Sequence, residues 1–294
     1  MLGMDAFDWD ELGDEDQLET FAASSSTPIF VAWYSGGFHK EKGEELLTML
    51  LDSVKREFLH IDTLVLHYPD VYDIEGEGSD PWPSYVDRLI QEIDQEPSRA
   101  GRPLILFGHS RGNAPAMTVA ARLGQRVLKI YLAASDAPVI GEPSPFQRLS
   151  ERFKREGDLG LLEWFVSLNP GNRAMESLYT SVASGEMKIE DSKFGESMIT
   201  LMRRQYKDAI WPDMERDFKG VCSPIMAFRP EHDPSSTRAG MDRWKEWTTS
   251  SARAKVVIRA THMGILGPQM IDGQEECVMI EEILKDMKLV IAAC

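Results

Sequence analysis

Ser110 stands between two glycines in Gly108-His109-Ser110-Arg111-Gly112, directly after the apolar run at 103–107. From average glycine and serine usage, G-x-S-x-G arises by chance in about one chain in ten of this length, so the context decides. Here the preceding run reads as a buried strand and the following residues open a helix. That is the setting of a nucleophile elbow. The turn is tight enough that a side chain at Gly108 or Gly112 would collide with neighbouring backbone. It lifts the Ser110 hydroxyl clear of the strand and aims the Arg111 N–H at negative charge developing on an attacked carbonyl.

A serine hydroxyl needs a base to become a nucleophile, and the base needs an acid to orient it. The six histidines are His39, His60, His67, His109, His232 and His262. His109 precedes the serine, so its side chain is expected to point elsewhere. His60 and His67 flank an early strand, and His39 follows a Ser-Gly-Gly loop. His262 lies just after the last apolar run, where the chain order serine, acid, histidine requires the base. Two carboxylates compete as the acid. Asp233 sits in Pro230-Glu-His-Asp-Pro234 and Asp136 in Ala134-Ser-Asp-Ala-Pro138, both just beyond apolar runs. Asp233 is the favoured acid and Asp136 the alternative; Glu231 and His232 are expected to be exposed loop neighbours.

A second donor to the oxyanion is expected from Trp33-Tyr34-Ser35-Gly36-Gly37, where Gly36 and Gly37 let the backbone approach a substrate and Ser35 supplies the N–H. No metal motif, phosphate loop or dinucleotide fingerprint competes with this reading, and no cofactor or metal is expected. Met175, Met187, Met198 and Met202 either line a pliable pocket or fill a core.

The elements that must carry these residues alternate. Runs at 28–34, 61–67, 103–107, 127–133, 224–228 and 254–258 read as strands. Helical spacings appear at 40–57, 83–93, 111–123, 241–247 and 274–289. Regular alternation means an α/β fold, a mostly parallel central sheet with helices on both faces, whose reactive groups gather at the carboxyl ends of the strands. About 90 residues separate the fourth strand from the fifth, more than one crossover needs, and pieces of amphipathic helix at 161–166 and 198–202 fall among them. A helical lid insertion is expected at about 139–215, within a domain spanning 28–294.

Composition narrows the classes further. The 294 residues are 43% hydrophobic and 27% charged, with a net charge of −16. This balance argues against a nucleic-acid partner, which would be held through Lys and Arg on phosphates. Asp5, Asp8, Asp10, Glu11, Asp14, Glu15, Asp16 and Glu19 crowd the first residues, so 1–27 reads as a loosely packed acidic tail. No stretch approaches the ~20 apolar residues of a membrane span, and no signal-peptide pattern opens the chain. Cys222, Cys277 and Cys294 are too few and scattered for a disulfide framework, so a reduced, cytoplasmic setting is expected. The expected state is a monomer or weak dimer.

These residues together resemble an α/β-hydrolase, and more narrowly the thioesterases associated with polyketide and non-ribosomal peptide synthases. Tyr34-Ser-Gly-Gly37 is similar to that family's Pro-x-Ala-Gly-Gly oxyanion loop, with Trp33 where proline is usual. The passage 202–208 followed by Cys222-Ser-Pro-Ile225 resembles its lid-to-strand segment. Asp233-Pro234 with Thr261-His262-Met263 resembles the Asp-Pro and Gly-His-Phe elements of the free-standing, type II branch. The terminal, type I branch places its acid where Asp136 stands. Arg111 and Asn113 depart from the small residues common there. The resemblance implies hydrolysis of acyl thioesters carried on phosphopantetheine, with an acyl or peptidyl carrier protein of a megasynthase as partner. A basic face around Arg203, Arg204 and Lys207 would meet such an acidic carrier. Carboxylesterase or lipase chemistry on oxygen esters is the alternative, and a non-enzymatic binding protein of the same fold is the third.

Overall fold

The apolar runs pair side by side into one sheet. In the computed structural model, which describes residues 27–34, 40–67, 81–203 and 211–293, they form β1 (Ile29–Trp33), β2 (Asp62–Leu66), β3 (Leu104–His109), β4 (Val127–Ala133), β5 (Ile225–Pro230) and β6 (Ala252–Val257). The order is β2-β1-β3-β4-β5-β6 and every neighbouring pair is parallel. Parallel neighbours require crossovers, and α1 (Lys40–Glu57), α2 (Trp82–Asp94) and α3 (Asn113–Leu123) supply the first three. The acidic residues Asp5 to Glu19 lie outside the described residues.

The inner strands β1, β3 and β5 are mostly buried apolar runs because both faces of the sheet are covered there, whereas the edge strands β2 (Asp62–Leu66) and β6 (Ala252–Val257) carry Asp62, Arg253 and Lys255. Ile29, Val31 and Trp33 face one core with Leu104, Leu106, Ile130 and Leu132, closed by Trp82 and Val86 of α2 and Met117 of α3. Phe30 and Ala32 face the other with Ile105, Phe107, Tyr131 and Phe228, closed by Leu47, Leu50 and Val54 of α1. Successive residues of one strand thus serve opposite cores, and all five residues of β1 are buried.

Between β4 and β5 the chain builds a third core. Helices α4 (Pro145–Leu168), α5 (Arg173–Ala183) and α6 (Lys193–Met202) bury Phe153, Leu161, Leu162, Met175, Leu178, Ile199 and Met202 together. Met175 and Met202 are therefore core filling, with Met187 and Met198 packed against them. Gly157 breaks α4 with φ 70°, a left-handed backbone that favours glycine. Ser144 caps α4 through a reciprocal box with Gln147. The short α7 (Met214–Asp217) leads back to the sheet.

The carboxyl-terminal part departs from the reading in two places. The segment expected as one helix at 241–247 is α8 (Arg238–Asp242) continued by a 3₁₀ turn, Arg243–Trp247. The expected closing helix at 274–289 starts later. Its first residues belong to a hairpin of β7 (Gln269–Ile271) and β8 (Gln274–Glu276), and α9 (Val278–Ala292) follows. The cause is Asp272-Gly273, both at positive φ (50° and 82°). Two left-handed residues are what a tight hairpin of this twist requires, and Asp-Gly is a strong sequence signal for it.

Candidate active site

β3 runs into a 3₁₀ turn, Ser110–Gly112, before α3 begins at Asn113, so Ser110 occupies the corner between strand and helix. Its φ of 55° is left-handed, which costs a non-glycine residue conformational energy and persists only where surrounding structure holds it. The flanking glycines show what holds it. A Cβ on Gly108 would lie 2.7 Å from the Asn113 Cα and the Gly112 carbonyl oxygen. A Cβ on Gly112 would lie 2.5 Å from the Trp33 carbonyl oxygen. The corner is pressed onto β1 as closely as backbone allows.

Three side chains then meet. The Ser110 Oγ is 3.0 Å from His262 Nε2, and His262 Nδ1 is 2.9 Å from Asp233 Oδ2. With Nδ1–H donating to the carboxylate, Nε2 is left to accept the Ser110 hydroxyl. All three residues are buried. Burial alone would raise the Asp233 carboxyl. The charge of His262, its hydrogen bond and two from Ser235 outweigh that and hold Asp233 below the ordinary carboxylate range.

Local turns set these positions. Asp233 Oδ1 accepts the Ser235 N–H at 2.8 Å and the Ser235 hydroxyl at 2.6 Å, and Oδ2 accepts the Ser236 hydroxyl at 3.1 Å. Ser235 Oγ also lies 3.1 Å from His262 Nδ1. The acid loop and the base loop are tied through backbone as well: the His232 N–H donates to Ala260 O at 2.9 Å. Glu231 and His232 are exposed, but Glu231 accepts the Arg259 N–H at 2.7 Å, a second link between the two loops. Ser235 and Ser236 are not among the residues that the sequence singles out, and nor is the link from Glu231 to Arg259. Serines directly after Asp-Pro are a turn signal that could have found the first two.

Asp136, the alternative acid, is placed differently. Its Oδ1 accepts the Thr237 N–H at 2.7 Å and its Oδ2 the Thr237 hydroxyl at 3.0 Å. Burial raises its carboxyl above the ordinary range against those two bonds. His60 is exposed, and His67 Nδ1 meets the Tyr34 hydroxyl at 2.6 Å. His109 lies against the base: its Nε2 is 2.9 Å from the His262 carbonyl oxygen.

Arg111 follows Ser110 in the same 3₁₀ turn and is 2% exposed, with its guanidinium carbon 4.6 Å from the centre of the Trp211 ring. Asn113 donates its side-chain amide to Ala133 O at 3.2 Å, joining the start of α3 to the end of β4. The expected oxyanion donor Ser35, with Gly36, Gly37 and His39, lies outside the described residues, as do Arg204 and Lys207. Arg203 is exposed and paired with Asp158. A cavity of about 280 Å³ opens between the acid loop and α4, lined by Pro234, Ser235, Leu149, Arg152 and Trp164 among others. Among the described residues no helix is long and apolar enough to cross a membrane.

A family model described as "Alpha/beta hydrolase family" matches residues 50–271. Comparison with curated proteins finds no match. Among solved structures, the chain is similar to the RedJ thioesterase from the prodiginine biosynthetic pathway in Streptomyces coelicolor, at 15% identity over 89% of this chain and 86% of that one, with a TM-score of 0.54. It is similar to the type II thioesterase BorB from the borrelidin biosynthetic cluster, at 16% identity over 92% and 94% of the two chains and a TM-score of 0.51. It is also similar to a lipase-esterase related protein from Clostridium acetobutylicum, at 16% identity over 90% and 95%, with a TM-score of 0.52. At such identities the likeness is one of fold.

Proposed function

The chain belongs to the alpha/beta hydrolase family, and from that premise we propose that it is a serine hydrolase that cleaves acyl thioesters, with acyl chains on phosphopantetheine carrier proteins as the substrate class. The observation that carries the reading is the relay Ser110–His262–Asp233, with hydrogen-bond distances of 3.0 and 2.9 Å. His262 takes the Ser110 proton as Oγ attacks the thioester carbonyl. Asp233, held ionised, stabilises the resulting imidazolium and its orientation. The Arg111 amide at the start of the 3₁₀ turn and the Ser35 amide bind the oxyanion, and each well-placed donor lowers the barrier by about 3–4 kcal/mol. The C–S bond breaks, the thiolate leaves and takes the proton from His262. Water then gives a proton to His262 and attacks the acyl-enzyme, and collapse of that second intermediate returns Ser110 and releases the carboxylic acid.

The choice of thioester over oxygen ester rests on the stretches that resemble type II thioesterases, supported by RedJ and BorB among the fold relatives. The insertion at about 139–215, with helices α4–α6, is the lid in this reading: Trp164 and Arg152 of α4 share a cavity with Ser235, and Trp211, between α6 and α7, lies against the Arg111 guanidinium. The carrier protein is the expected partner, in the cytoplasm, and the protein itself needs no cofactor. With Arg203 already paired to Asp158, docking of an acidic carrier would depend more on Arg204 and Lys207. Hydrolysis of oxygen esters is the second reading, favoured by the lipase-esterase relative.

One acyl group presented both as a carrier-bound thioester and as a matched oxygen ester separates the two readings, with Ser110→Ala as control. Thioester preference that disappears in the variant is the expected result. Preference for the oxygen ester moves the protein to the esterases, and turnover unaffected by Ser110→Ala removes both.

A further inference from the structure

His109 is a buried imidazole that the relay leaves unused. Its side chain is 0% exposed, in the interior beneath the turn that raises Ser110. Its ring lies 5.2 Å from the His262 ring, centre to centre, at 58°. Because a carbonyl oxygen can only accept, the 2.9 Å contact with His262 O places the proton on Nε2. Nδ1 is then a bare acceptor, buried and with no hydrogen-bond partner among the described residues. An unpaired buried acceptor is unfavourable, and an apolar side chain of similar size would avoid it. The imidazole is tolerated here for the one bond it makes.

That bond reaches the main chain of the base itself. We propose that His109 is a positioning residue, which donates Nε2–H to the His262 carbonyl and so holds the backbone from which the base hangs within reach of Ser110. His109 and Ser110 are consecutive at that corner and both meet His262, the hydroxyl reaching Nε2 at 3.0 Å and the imidazole reaching the carbonyl oxygen at 2.9 Å. One corner of backbone therefore sets both partners of the proton transfer. The inference rests on reading Ser110 and His262 as nucleophile and base.

The test compares His109→Leu, which removes the donor, with His109→Gln, whose side-chain amide can reach the same carbonyl. The readouts are kcat and KM on the acyl thioester, the rate of Ser110 labelling by an alkyl fluorophosphonate, and thermal unfolding. A small misplacement of reacting groups costs up to about 100-fold, so kcat and labelling should fall about 10- to 100-fold in the leucine variant with KM little changed. The glutamine variant should recover most of that loss. If the leucine variant does not fold, His109→Asn, whose shorter amide falls short of the carbonyl, takes its place. Wild-type labelling without the donor, or a glutamine variant as slow as the leucine one, overturns the inference. Ser110→Ala and His262→Ala run alongside: both inactive with a fully active His109→Leu defeats the positioning role alone, while full turnover in either defeats the reading of the site.

Discussion

Asp136 and Asp233 lie just beyond the carboxyl ends of the neighbouring strands β4 and β5, yet their carboxylates close different circuits: Asp233 Oδ2 meets His262 Nδ1 at 2.9 Å, and Asp136 binds the Thr237 N–H at 2.7 Å. Asp136 thereby secures the residue that caps α8, whose own hydroxyl accepts the Gly240 N–H. Asp233→Asn should lower kcat by about 10³–10⁴-fold, as loss of the orienting acid does in other triads. Asp136→Asn should leave kcat near wild type and cost about 1–2 kcal/mol of stability through the weakened turn. Steady-state kinetics beside denaturant unfolding reads both, and a larger kcat loss at Asp136 would reverse the assignment of the acid.

The central sheet was legible because burial on both faces writes its inner strands as mostly apolar runs, and the elbow because glycine is sterically required at 108 and 112. The chain order of Ser110, Asp233 and His262 was legible for the same reason: each follows a strand that the runs mark. What stayed hidden depends on side-chain direction. Nothing in the spacing shows that Asp136 turns toward Thr237, that His109 reaches the His262 carbonyl across 153 residues of chain, or that Ser235 touches both Asp233 and His262. The hairpin at 269–276 was missed for a different cause, since its strands are three residues long and its polar residues match a helical face as well as a strand.

The elbow predicts a sharp asymmetry between glycines. Gly112→Ala puts a Cβ 2.5 Å from the Trp33 carbonyl oxygen, so β1 or the turn must move. Destabilisation of about 1–3 kcal/mol or more is expected, with Ser110 labelling largely lost. Gly267→Ala is the control, because its nearest new neighbour is 4.0 Å away and its φ is −122°. It should change stability by no more than about 0.5 kcal/mol. Equal effects at the two positions would show that the corner is not sterically fixed.

A buried charge cluster where α9 meets β4 and β6 gives a stability prediction with no catalytic component. Asp286 of α9 pairs with Lys129 at 3.0 Å, accepts the Tyr131 hydroxyl at 2.9 Å and pairs with Arg253. Lys129 and Asp286 are each 7% exposed. Burial pushes the Lys129 amine below its ordinary range, and the Asp286 carboxylate pushes back. Removing one partner leaves the other charged and buried, so Asp286→Ala should cost about 3–5 kcal/mol by denaturant unfolding while kcat is unchanged. The pair Lys129→Met with Asp286→Leu should cost less than Asp286→Ala alone. A double variant worse than the single one would mean that the cluster is a net source of stability.

His109 predicts an acid-sensitive stability. Burial first, and then the neighbouring His262, push its imidazole from the ordinary 6.5 down to about 3, against the smaller opposing influences of the hydrogen bond to the His262 carbonyl and of the Asp233 charge. In the folded protein it is neutral at pH values where the unfolded chain would protonate it. The unfolded state therefore binds more protons between about pH 6.5 and 3, so stability falls as pH falls through that window. Above it His109 contributes no pH dependence. Its full contribution to acid destabilisation is at most about 4–5 kcal/mol, from a shift of this size. His262 and Asp233, which face His109, are present in both proteins, so the difference between wild type and His109→Gln isolates the imidazole. Unfolding free energy measured from pH 7.5 to 4 should drop more steeply in the wild type than in His109→Gln. Parallel curves would mean that His109 is protonated in the folded state or reached by solvent.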